Sequence, residues 1–462
     1  MLADICRFFA IDPDCAIRTG FYRPNLTLRT TPVDAAERDR LLLERLRTRK
    51  PGPTIIYVTL QRTAEELAAR LSAEGFPSRP YHAGMEDNDR VAVQEWFLES
   101  ARGIVVATIA FGMGIDKADI RYVYHYNPPK SLENLSQEIG RAGRDGQPAV
   151  CEVLFCNDDL NALENFAYGD TPTAEAVAAL VAEVFALGES FDVSLYELSA
   201  AHDIRTLVVR TLLCYLELLG YLEGGTPFYA SYQFKPLATS AEILARFDPP
   251  RREFLAGLFR HATKAKIWFQ IDVERTARDL GCPRDRVVRA LDYLGEQRLL
   301  ELQVSGVRNR YRRLREPDDL AELARTLHER TLQRETREMD RLREVLDWVG
   351  HDGCQVSHLG AHFAEPLPKP CGHCSWCLAG QKPVLLAERR TPPIDAELWR
   401  RAAAVREKHG QLLANPRVMT RWLCGISSPS LSRAKLTSDP LFGSLAGVPF
   451  ADVLRRAGGH GC

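Results

Sequence analysis

Between residues 54 and 156, short β-branched runs alternate with helical patterns, and no other feature of the sequence constrains the fold so strongly. The runs TIIYV at 54–58 and GIVVAT at 103–108 have the length and composition of buried parallel strands. Further strand candidates lie at 78–82, 122–125 and 150–155, and helical patterns lie at 34–49, 64–73 and 87–98. Such alternation predicts an α/β domain with a parallel sheet, whose functional residues lie in loops at the carboxyl ends of the strands.

After about residue 172 the pattern changes to helices with short paired strands. Val273–Leu280, the turn Gly281-Cys282-Pro283 and Arg284–Leu294 give a helix, a glycine-containing turn and a second helix. We predict that a β-hairpin follows at Leu300–Leu314, with its turn at Ser305-Gly306. Together these elements form a winged helix-turn-helix pattern, and a weak internal repeat predicts a second such unit before it.

Composition and charge narrow the class of protein. The chain is 45% hydrophobic and 26% charged, as globular proteins are, and no apolar run reaches the roughly 18 residues of a membrane span. The N-terminus lacks the features of a signal peptide, so we expect an intracellular, cytoplasmic protein with no membrane partner. A net charge of −1 argues mildly against nucleic-acid binding, but residues 308–315 hold five arginines and no acid.

The most specific motif in the chain is Gln137-Glu138-Ile139-Gly140-Arg141-Ala142-Gly143-Arg144. On a helix, arginines three positions apart share one face, and Gln137 lies one turn before Arg141 on that face. Transfer of a phosphoryl group needs fixed positive charge at the γ-phosphate, which permanently charged guanidinium groups supply. The alternative interpretation is a helix end with two surface arginines, but the spacing favours a site that contacts a nucleotide.

This string resembles motif VI of superfamily 2 helicases in the form typical of RecQ enzymes. Three other segments, Ile55–Leu71, Tyr81–Met85 and Val105–His125, resemble motif IV, the Tyr-His-Ala-Gly step and motif V in the same order. Phe21–Asn25 resembles the segment that joins the two motor domains. The resemblance covers about residues 1–165, and it implies a RecA-like fold and ATP-driven, 3′-to-5′ unwinding of DNA in repair or recombination.

The resemblance also implies which residues face the nucleotide and which face DNA. Arg144 would be the arginine finger, and Asp116 would lie near the ribose. The expected nucleotide contacts are Gln137, Arg141, Arg144, Asp116, Gly114 and Gly140. The expected contacts with single-stranded DNA are Thr108, His82 and Gly84. For His82, a hydrogen-bonded histidine at a strand end explains the residue equally well.

The sequence contains neither G-x-x-x-x-G-K-[ST] nor D-E-x-H, the segments that hold phosphates and Mg²⁺. In the RecQ family both lie in a first RecA-like domain. We therefore expect the chain to begin where that domain ends. ATP and Mg²⁺ would bind only when that domain is present, and the isolated chain would not hydrolyse ATP.

Four of the twelve cysteines have metal-binding spacing. Cys371, Cys374 and Cys377 form C-x₂-C-x₂-C, and Cys354 precedes them by sixteen intervening residues. Four thiolates suit tetrahedral Zn²⁺ and leave no open position, so we predict a structural zinc rather than a metallohydrolase centre. The main rival ligand is His373, followed by His358 and His362. The spacing also resembles the RecQ zinc element, although in common RecQ order no winged helix precedes it. The present order resembles a divergent bacterial branch.

The arginines of the predicted hairpin form a third candidate site. Arg308, Arg310 and Arg312 alternate, so they point to one side of a strand and suit DNA phosphates. A charged, solvent-facing strand that deters aggregation is the competing interpretation. Near the C-terminus, Arg417, Arg421 and Trp422 have the composition of a nucleic-acid contact, but a core position for Trp422 is the preferred interpretation.

These features divide the chain into six segments. We predict a remnant or linker at 1–30, a second RecA-like helicase domain at 31–168, a winged-helix region at 172–315, a helix and zinc element at 316–380, a linker at 381–394 and a helical C-terminal unit at 395–462.

The function predicted is a RecQ-type, ATP-dependent DNA helicase that acts on single-stranded and forked or partly duplex DNA at the bacterial nucleoid. A non-catalytic winged-helix and zinc DNA-binding protein is the main alternative, although such a protein has no need of Arg144 with Gln137. An RNA helicase is a second alternative, which the zinc and winged helix disfavour.

Overall fold

The structure is a computed structural model that describes residues 2–17, 20–112, 115–265, 267–380 and 392–459. The chain forms two compact units. The first unit contains Met1–Gly169, Gln333–Ile426 and Leu436–Cys462, and the second contains Asp170–Leu332 and Ser427–Lys435. In sequence, therefore, the second unit is inserted into the first.

The first unit is built on a six-stranded sheet in which every paired strand is parallel. Its strands are Leu26–Pro32 (β1), Thr54–Tyr57 (β2), Ser78–Tyr81 (β3), Ile104–Ala107 (β4), Tyr122–His125 (β5) and Ala149–Phe155 (β6). Their order across the sheet is β1-β6-β5-β2-β4-β3. The predicted α/β domain with a parallel sheet is confirmed.

Strand β1 is the one strand of this sheet that the sequence analysis did not predict. Its alternating polar residues, LTLRTTP, lack the continuous apolar run of a buried parallel strand. It pairs only with β6, at the edge of the sheet. The sheet thus begins at Leu26, before the predicted boundary between residues 30 and 31.

Helices cover both faces of the sheet. The helices between the N-terminus and Gly169 are Leu2–Phe8 (α1), Ala35–Thr48 (α2), Gln61–Ala73 (α3), Asp87–Glu99 (α4), Leu132–Ile139 (α5) and Leu160–Gly169 (α6). Neighbouring strand residues point to opposite faces. Accordingly Ile55 and Val105 lie in one buried cluster, and Ile56 and Val106 lie in another.

Residues far apart in sequence complete the first of these clusters. Trp348 and Cys374 are fully buried and pack in the same cluster as Leu28 and Val105. The zinc element therefore belongs to the same hydrophobic core as the parallel sheet, although about 190 residues of sequence separate it from the motor motifs.

The remaining helices extend from the second unit to the C-terminus. They are Ala174–Ala186 (α7), Leu195–His202 (α8), Thr206–Leu218 (α9), Ser240–Ala245 (α10), Pro249–Arg260 (α11), Val273–Asp279 (α12), Arg284–Glu296 (α13), Leu320–Val349 (α14), Gln355–His362 (α15), Ser375–Ala379 (α16), Ala396–Lys408 (α17), Gly410–Leu413 (α18), Pro416–Leu423 (α19), Pro429–Arg433 (α20) and Phe450–Ala457 (α21). None of the described helices is long and apolar enough to cross a membrane.

The second unit contains an antiparallel sheet centred on one long strand. Its strands are Ser190–Val193 (β7), Leu222–Gly224 (β8), Phe228–Pro236 (β9), Thr263–Ala265 (β10), Trp268–Asp272 (β11) and Leu300–Arg313 (β12). The sheet has the order β10-β11-β9-β12-β7, and β8 also pairs with β12.

The hairpin predicted at Leu300–Leu314 is wrong, because this segment is a single strand. Ser305 pairs with Ser231 and Val307 pairs with Tyr229, so strand pairing with β9 continues past the predicted turn. Gly306 adopts φ +68° without reversing the chain, since glycine tolerates this conformation. Strand β12 instead pairs with β9, which lies much earlier in the chain.

Two helix-turn-helix elements adjoin β12. In one, α12 and α13 are joined by a turn with Gly281 at φ +59°, and their core includes Leu291 and Ile271. In the other, α8 and α9 are joined through Asp203 at φ +55°, and their core includes Leu213. The two predicted helix-turn-helix elements are therefore present, and the neighbouring strands β8 and β9 both pair with β12, which replaces the predicted hairpin.

Candidate functional site

The carboxyl ends of the parallel strands gather the residues predicted to meet DNA. His82 follows β3, and Thr108 follows β4, its neighbour in the sheet. The amide of Thr108 donates to the carbonyl of Tyr81 at 3.1 Å, and the amide of Phe111 donates to the carbonyl of Thr108 at 3.0 Å. These bonds hold the loops after β3 and β4 side by side.

The His82 side chain lies inside the protein rather than in solvent. Only 5% of it is exposed, and its Nε2 is 3.1 Å from Oε1 of Glu65 on α3. Gly84 is exposed, and a Cβ at this position would lie 2.5 Å from Oε1 of the exposed Gln61 side chain. The contacts of His82 are those of a hydrogen-bonded strand-end histidine.

The interpretation of Arg141 and Arg144 as neighbours on one helix face is wrong. Helix α5 ends at Ile139 with Gly140 as its cap, and turns follow. Gly143 adopts φ +56°, and a Cβ there would lie 2.5 Å from Nδ2 of Asn25. A helix cannot continue through that conformation, so the two arginines follow its C-terminus and point in different directions.

Arg141 points inward and is only 7% exposed. Its Nη1 donates to the carbonyl of Gly112, in the loop after β4. The hydroxyl of Tyr57 donates to the carbonyl of Phe111 at 3.1 Å, beside the same loop. Burial raises the pKa of Tyr57, so this hydroxyl stays protonated. Arg141 therefore joins the end of α5 to the loop that begins at Thr108.

Arg144 points outward. Its Nη1 donates to Oδ1 of Asp116 at 3.2 Å and to the carbonyl of Ile115 at 3.4 Å. Its side chain is 39% exposed and that of Asp116 is 94% exposed, so solvent weakens this ion pair. Gln137 is exposed on α5 and Gly140 is half-buried. Gly114 lies outside the described residues.

Sequence analysis missed a buried, hydrogen-bonded pair of side chains on β5 and α5. Nε2 of His125, the last residue of β5, is 2.7 Å from Oε2 of Glu138 on α5, and both side chains are buried. The Tyr57 ring stacks on His125 with ring centroids 5.5 Å apart. A histidine at the end of an apolar strand and a glutamate inside the motif were both visible in the sequence, but only the fold brings them together.

The four predicted metal ligands converge. The Sγ atoms of Cys354, Cys371, Cys374 and Cys377 all lie within 4.8 Å of one another, with 4.0 Å between Cys374 and Cys354 and 3.9 Å between Cys371 and Cys377. Tetrahedral zinc with Zn–S bonds of about 2.3 Å requires sulfur separations of about 3.8 Å, so the site fits this metal.

Backbone amides complete the surroundings of the thiol groups. The amides of Ser357 and Cys371 donate to Sγ of Cys354 at 3.4 and 3.3 Å, and the amide of His373 donates to Sγ of Cys371 at 3.4 Å. Such bonds stabilise thiolates, the form that binds metal.

The rival histidine ligands are engaged elsewhere. Nε2 of His373 lies 3.1 Å from the hydroxyl of Tyr22. The ring of His358 is 4.2 Å from that of His351, and Nε2 of His362 is 3.2 Å from Oε1 of Glu133. The cysteines alone form the one metal-sized cluster found among the described residues.

Polar bonds attach the cysteine cluster to the edge of the parallel sheet. The amide of Thr30 on β1 donates to Oγ of Ser375 at 2.9 Å, and Nε2 of Gln355 donates to Oγ1 of Thr30 at 2.6 Å. Nε1 of Trp348 donates to the carbonyl of Gln355 at 3.0 Å. Metal binding would therefore stabilise the edge strand of the motor domain.

The three arginines of β12 all have partners within their own unit. Arg308 pairs with Asp192 at 3.0 Å and with Glu197 at 3.2 Å, and Arg312 pairs with Glu223 at 2.6 Å. The guanidinium of Arg310 lies 4.8 Å from the ring centroid of Phe228. Phosphates would have to compete with these carboxylates.

The residues singled out near the C-terminus are structural. Trp422 is fully buried, which confirms the preferred interpretation of a core residue, and Arg421 is 3% exposed. Arg417 donates to both carboxylate oxygens of Glu335, at 2.7 and 3.2 Å.

The sequence matches the Helicase conserved C-terminal domain family over residues 37–146. This range contains β2 to β5 and the Gln137–Arg144 string, so the first unit contains a helicase C-terminal domain. A solved structure described as a DEAD box protein from Methanococcus jannaschii is 26% identical and covers 30% of this chain and 39% of that one, with a TM-score of 0.27.

Three curated relatives, all described as helicases, are also similar to this chain. The probable ATP-dependent DNA helicase RecS of Bacillus subtilis is 39% identical over 164 residues, which are 34% of this chain and 32% of the relative. RecQ of the same organism is 38% identical over 157 residues, covering 34% and 26%. The mouse bifunctional exonuclease and helicase WRN is 43% identical over 157 residues, covering 32% and 11%.

Over the matched region, this chain is therefore similar to helicases of the RecQ type. The match spans about a third or less of the length of each of these relatives.

Proposed function

We propose that this chain supplies the second motor lobe and the DNA-handling parts of an ATP-dependent, 3′-to-5′ RecQ-type DNA helicase. Arg144 carries the proposal. It is an exposed arginine, held by Asp116 and a backbone carbonyl, at the end of a motif shared with ATP-dependent DNA helicases. An arginine presented in this way can stabilise charge on a phosphate bound by a facing lobe.

The nucleotide side would consist of Gln137, Arg144, Asp116, Gly114 and Gly140, with Arg141 behind them. Arg141 is buried against the Gly112 carbonyl. Movement of the end of α5 on nucleotide binding would therefore shift the loop that starts at Thr108. In this proposal Arg141 is a positioning residue that links ATP to DNA.

The DNA side would consist of the loops that contain His82, Gly84 and Thr108. Their backbone groups lie at one edge of the sheet, where a single strand would cross the carboxyl ends of β3 and β4. In the winged-helix unit, Arg308, Arg310 and Arg312 would contact duplex or forked DNA by exchanging Asp192, Glu197 and Glu223 for phosphates. The protein would act in DNA repair or recombination in the cytoplasm, at the bacterial nucleoid.

The cysteine cluster would bind one structural Zn²⁺. Zinc would cross-link the segment around Cys354 to the C-x₂-C-x₂-C loop, and four thiolates leave it no catalytic position.

We further propose that the isolated chain does not hydrolyse ATP and that a P-loop lobe must supply the β- and γ-phosphate contacts and Mg²⁺. ATP hydrolysis by the purified chain, with and without single-stranded DNA, tests this directly. No turnover is expected in either case. DNA-stimulated turnover that is lost in Arg144→Ala would mean that the chain contains its own phosphate site.

Unwinding tests the motor itself. Joined to a first RecA-like lobe with a P-loop, the chain should separate forked DNA, and Arg144→Ala should abolish unwinding while leaving DNA binding intact. Matched DNA and RNA forks measure the nucleic-acid preference. A joined protein that hydrolyses ATP normally with Arg144→Ala would remove the basis of the proposal.

The alternative is a non-catalytic DNA-binding protein that uses winged helices and zinc. The exposed helix-turn-helix arginines Arg275, Arg286 and Arg289 favour it. In that case fork binding would fall in Arg286→Ala/Arg289→Ala, and no lobe added to the chain would give unwinding.

A further inference from the structure

A pocket lies at the amino-terminal edge of the parallel sheet, at the opposite ends of the strands from His82 and Thr108. It has a volume of about 190 Å³. Thr54, Ile104 and Tyr122, the first residues of β2, β4 and β5, all line it. Because these strands are parallel, His82 and Thr108, which follow β3 and β4, lie beyond the opposite ends of the strands.

The pocket wall contains an aromatic surface. The rings of Tyr122 and Tyr124 stack with centroids 6.3 Å apart and an interplanar angle of 24°, and half-buried Phe76 lines the pocket beside them. The hydroxyl of Tyr122 donates to the carbonyl of Lys50 at 2.9 Å, which fixes the position of its ring. Planar aromatic ligands stack on surfaces of this kind.

Three cationic side chains also line the pocket, and no carboxylate does. Arg49 is bonded to Glu152 and to the hydroxyl of Tyr124. Lys50 and Arg102 are exposed, and neither forms an ion pair with any residue that the structure describes. Unpaired cations beside an aromatic wall favour an anionic ligand.

Local negative charge does not cancel these cations. Helices α2 and α3 end beside the pocket, and each contributes about half a negative charge. Glu152, the nearest buried carboxylate, is shared by Arg49 and Arg45, and Glu74 on the rim is paired with Arg47. Lys50 and Arg102 leave the pocket net positive.

We propose that this pocket binds a nucleotide unit, a planar base that carries a phosphate. The base stacks against the half-buried ring of Tyr122, which the buried ring of Tyr124 supports, and the phosphate is bound by Lys50 and Arg102. A free mononucleotide and one nucleotide of a single strand share this chemistry. The site is distinct from the motor's ATP site and stands whether or not the helicase proposal does.

The test is a calorimetric titration of the purified chain with AMP, with inorganic phosphate and with a short thymidine oligonucleotide. Lys50→Ala/Arg102→Ala should weaken AMP binding about tenfold or more, which corresponds to about 1.4 kcal/mol. Arg401→Ala/Lys408→Ala removes the same charges from exposed positions elsewhere, on and beside helix α17, and should leave binding unchanged. Tyr122→Leu should weaken AMP but not phosphate, whereas Tyr122→Phe should retain both.

The outcomes distinguish a free nucleotide from a nucleic-acid strand as the ligand, and they distinguish this pocket from the motor site as the place where it binds. AMP binding without competition from the oligonucleotide identifies a free nucleotide, and oligonucleotide binding without AMP binding identifies a strand. Either supports the proposal if Lys50→Ala/Arg102→Ala weakens it and Arg144→Ala does not. Loss in Arg144→Ala alone would assign the ligand to the motor site and overturn the proposal. Equal affinity for AMP and phosphate, or no binding of any probe, would also overturn it.

Discussion

Arg141 and Arg144 illustrate how the fold gives similar residues different environments. A glycine cap and a turn follow helix α5, so the two side chains point in different directions. The guanidinium of Arg141 is buried against a carbonyl, and that of Arg144 is exposed. The exposed arginine is the one available to a second lobe.

Arg144→Ala is therefore expected to lower ATP hydrolysis in the two-lobe motor by about 10³-fold or more, as loss of an arginine finger does. Steady-state kinetics measure this, with Arg62→Ala as a control that removes another exposed, ion-paired arginine. The melting temperature should be unchanged, because Arg144 packs in no core. A tenfold effect or less would contradict the assigned role.

Glu152 is a buried carboxylate whose ionised form depends on its neighbours. It is fully buried on β6, accepts a bond from Thr31 at 2.8 Å and pairs with Arg45 and Arg49. Burial favours its neutral form, but Arg49, Thr31 and Arg45 outweigh burial and hold the pKa of this carboxyl below its usual value of 4.5.

Because the folded pKa is lowered, the stability from this network is present at neutral pH and is lost as the pH falls from 4.5 through the folded pKa. Glu152→Gln should reduce the free energy of unfolding by up to about 3–5 kcal/mol at pH 7, since it leaves two half-buried arginines without the carboxylate that they share. Urea unfolding of both proteins across pH measures the difference, which should shrink below pH 4.5. A difference that grows in acid would show that Glu152 is neutral in the folded protein.

At the scale of elements, the cysteine segment and β1 depend on each other. Thr30, Ser375, Gln355 and Trp348 form one hydrogen-bonded chain between them. Loss of the metal would release the loop that holds Ser375, and with it an edge strand that pairs with only one neighbour.

The purified chain should therefore contain one zinc per molecule, measured by atomic emission, and Cys374→Ser should lose it. Cys214→Ser changes an exposed cysteine outside the cluster and serves as the control. Chelation should lower the melting temperature, by about 2–4 °C for each kcal/mol lost in a domain of this size. Full stability after complete zinc removal would contradict a structural role.

Strand β12 is the corresponding element of the second unit. Its first part pairs with β9 and its last part with β7 and β8, so it joins the two halves of this one sheet. The sequence indicates a turn at Ser305-Gly306, but the paired neighbour β9 keeps the strand extended.

At the scale of the whole molecule, the first unit is assembled from distant parts of the chain. Its core joins Leu28 and Val105 with Trp348 and Cys374 across the inserted second unit. Apolar burial of this kind does not require a continuous chain.

A protease site inserted after Gly225, in an exposed loop, tests this arrangement. After cleavage, the two fragments should co-elute in size-exclusion chromatography and separate only in denaturant. A second variant, with the protease site inserted within 381–391 between the zinc element and the C-terminal helices, is cleaved for comparison. Separation of the Gly225 fragments under native conditions would contradict a shared core.

The sequence alone determined the parallel sheet, the motor motifs, the four cysteines and the long helix α14, because each depends on local periodicity or on close spacing in the chain. Tertiary structure decided what depends on contacts between distant residues. The edge strand β1 is held by β6, the directions of Arg141 and Arg144 follow from packing around Gly143, and His125 meets Glu138 only in the fold. The β12 arginines are engaged by acids more than 80 residues earlier in the chain. No local pattern encodes such pairings, because they depend on which surfaces the folded chain brings together.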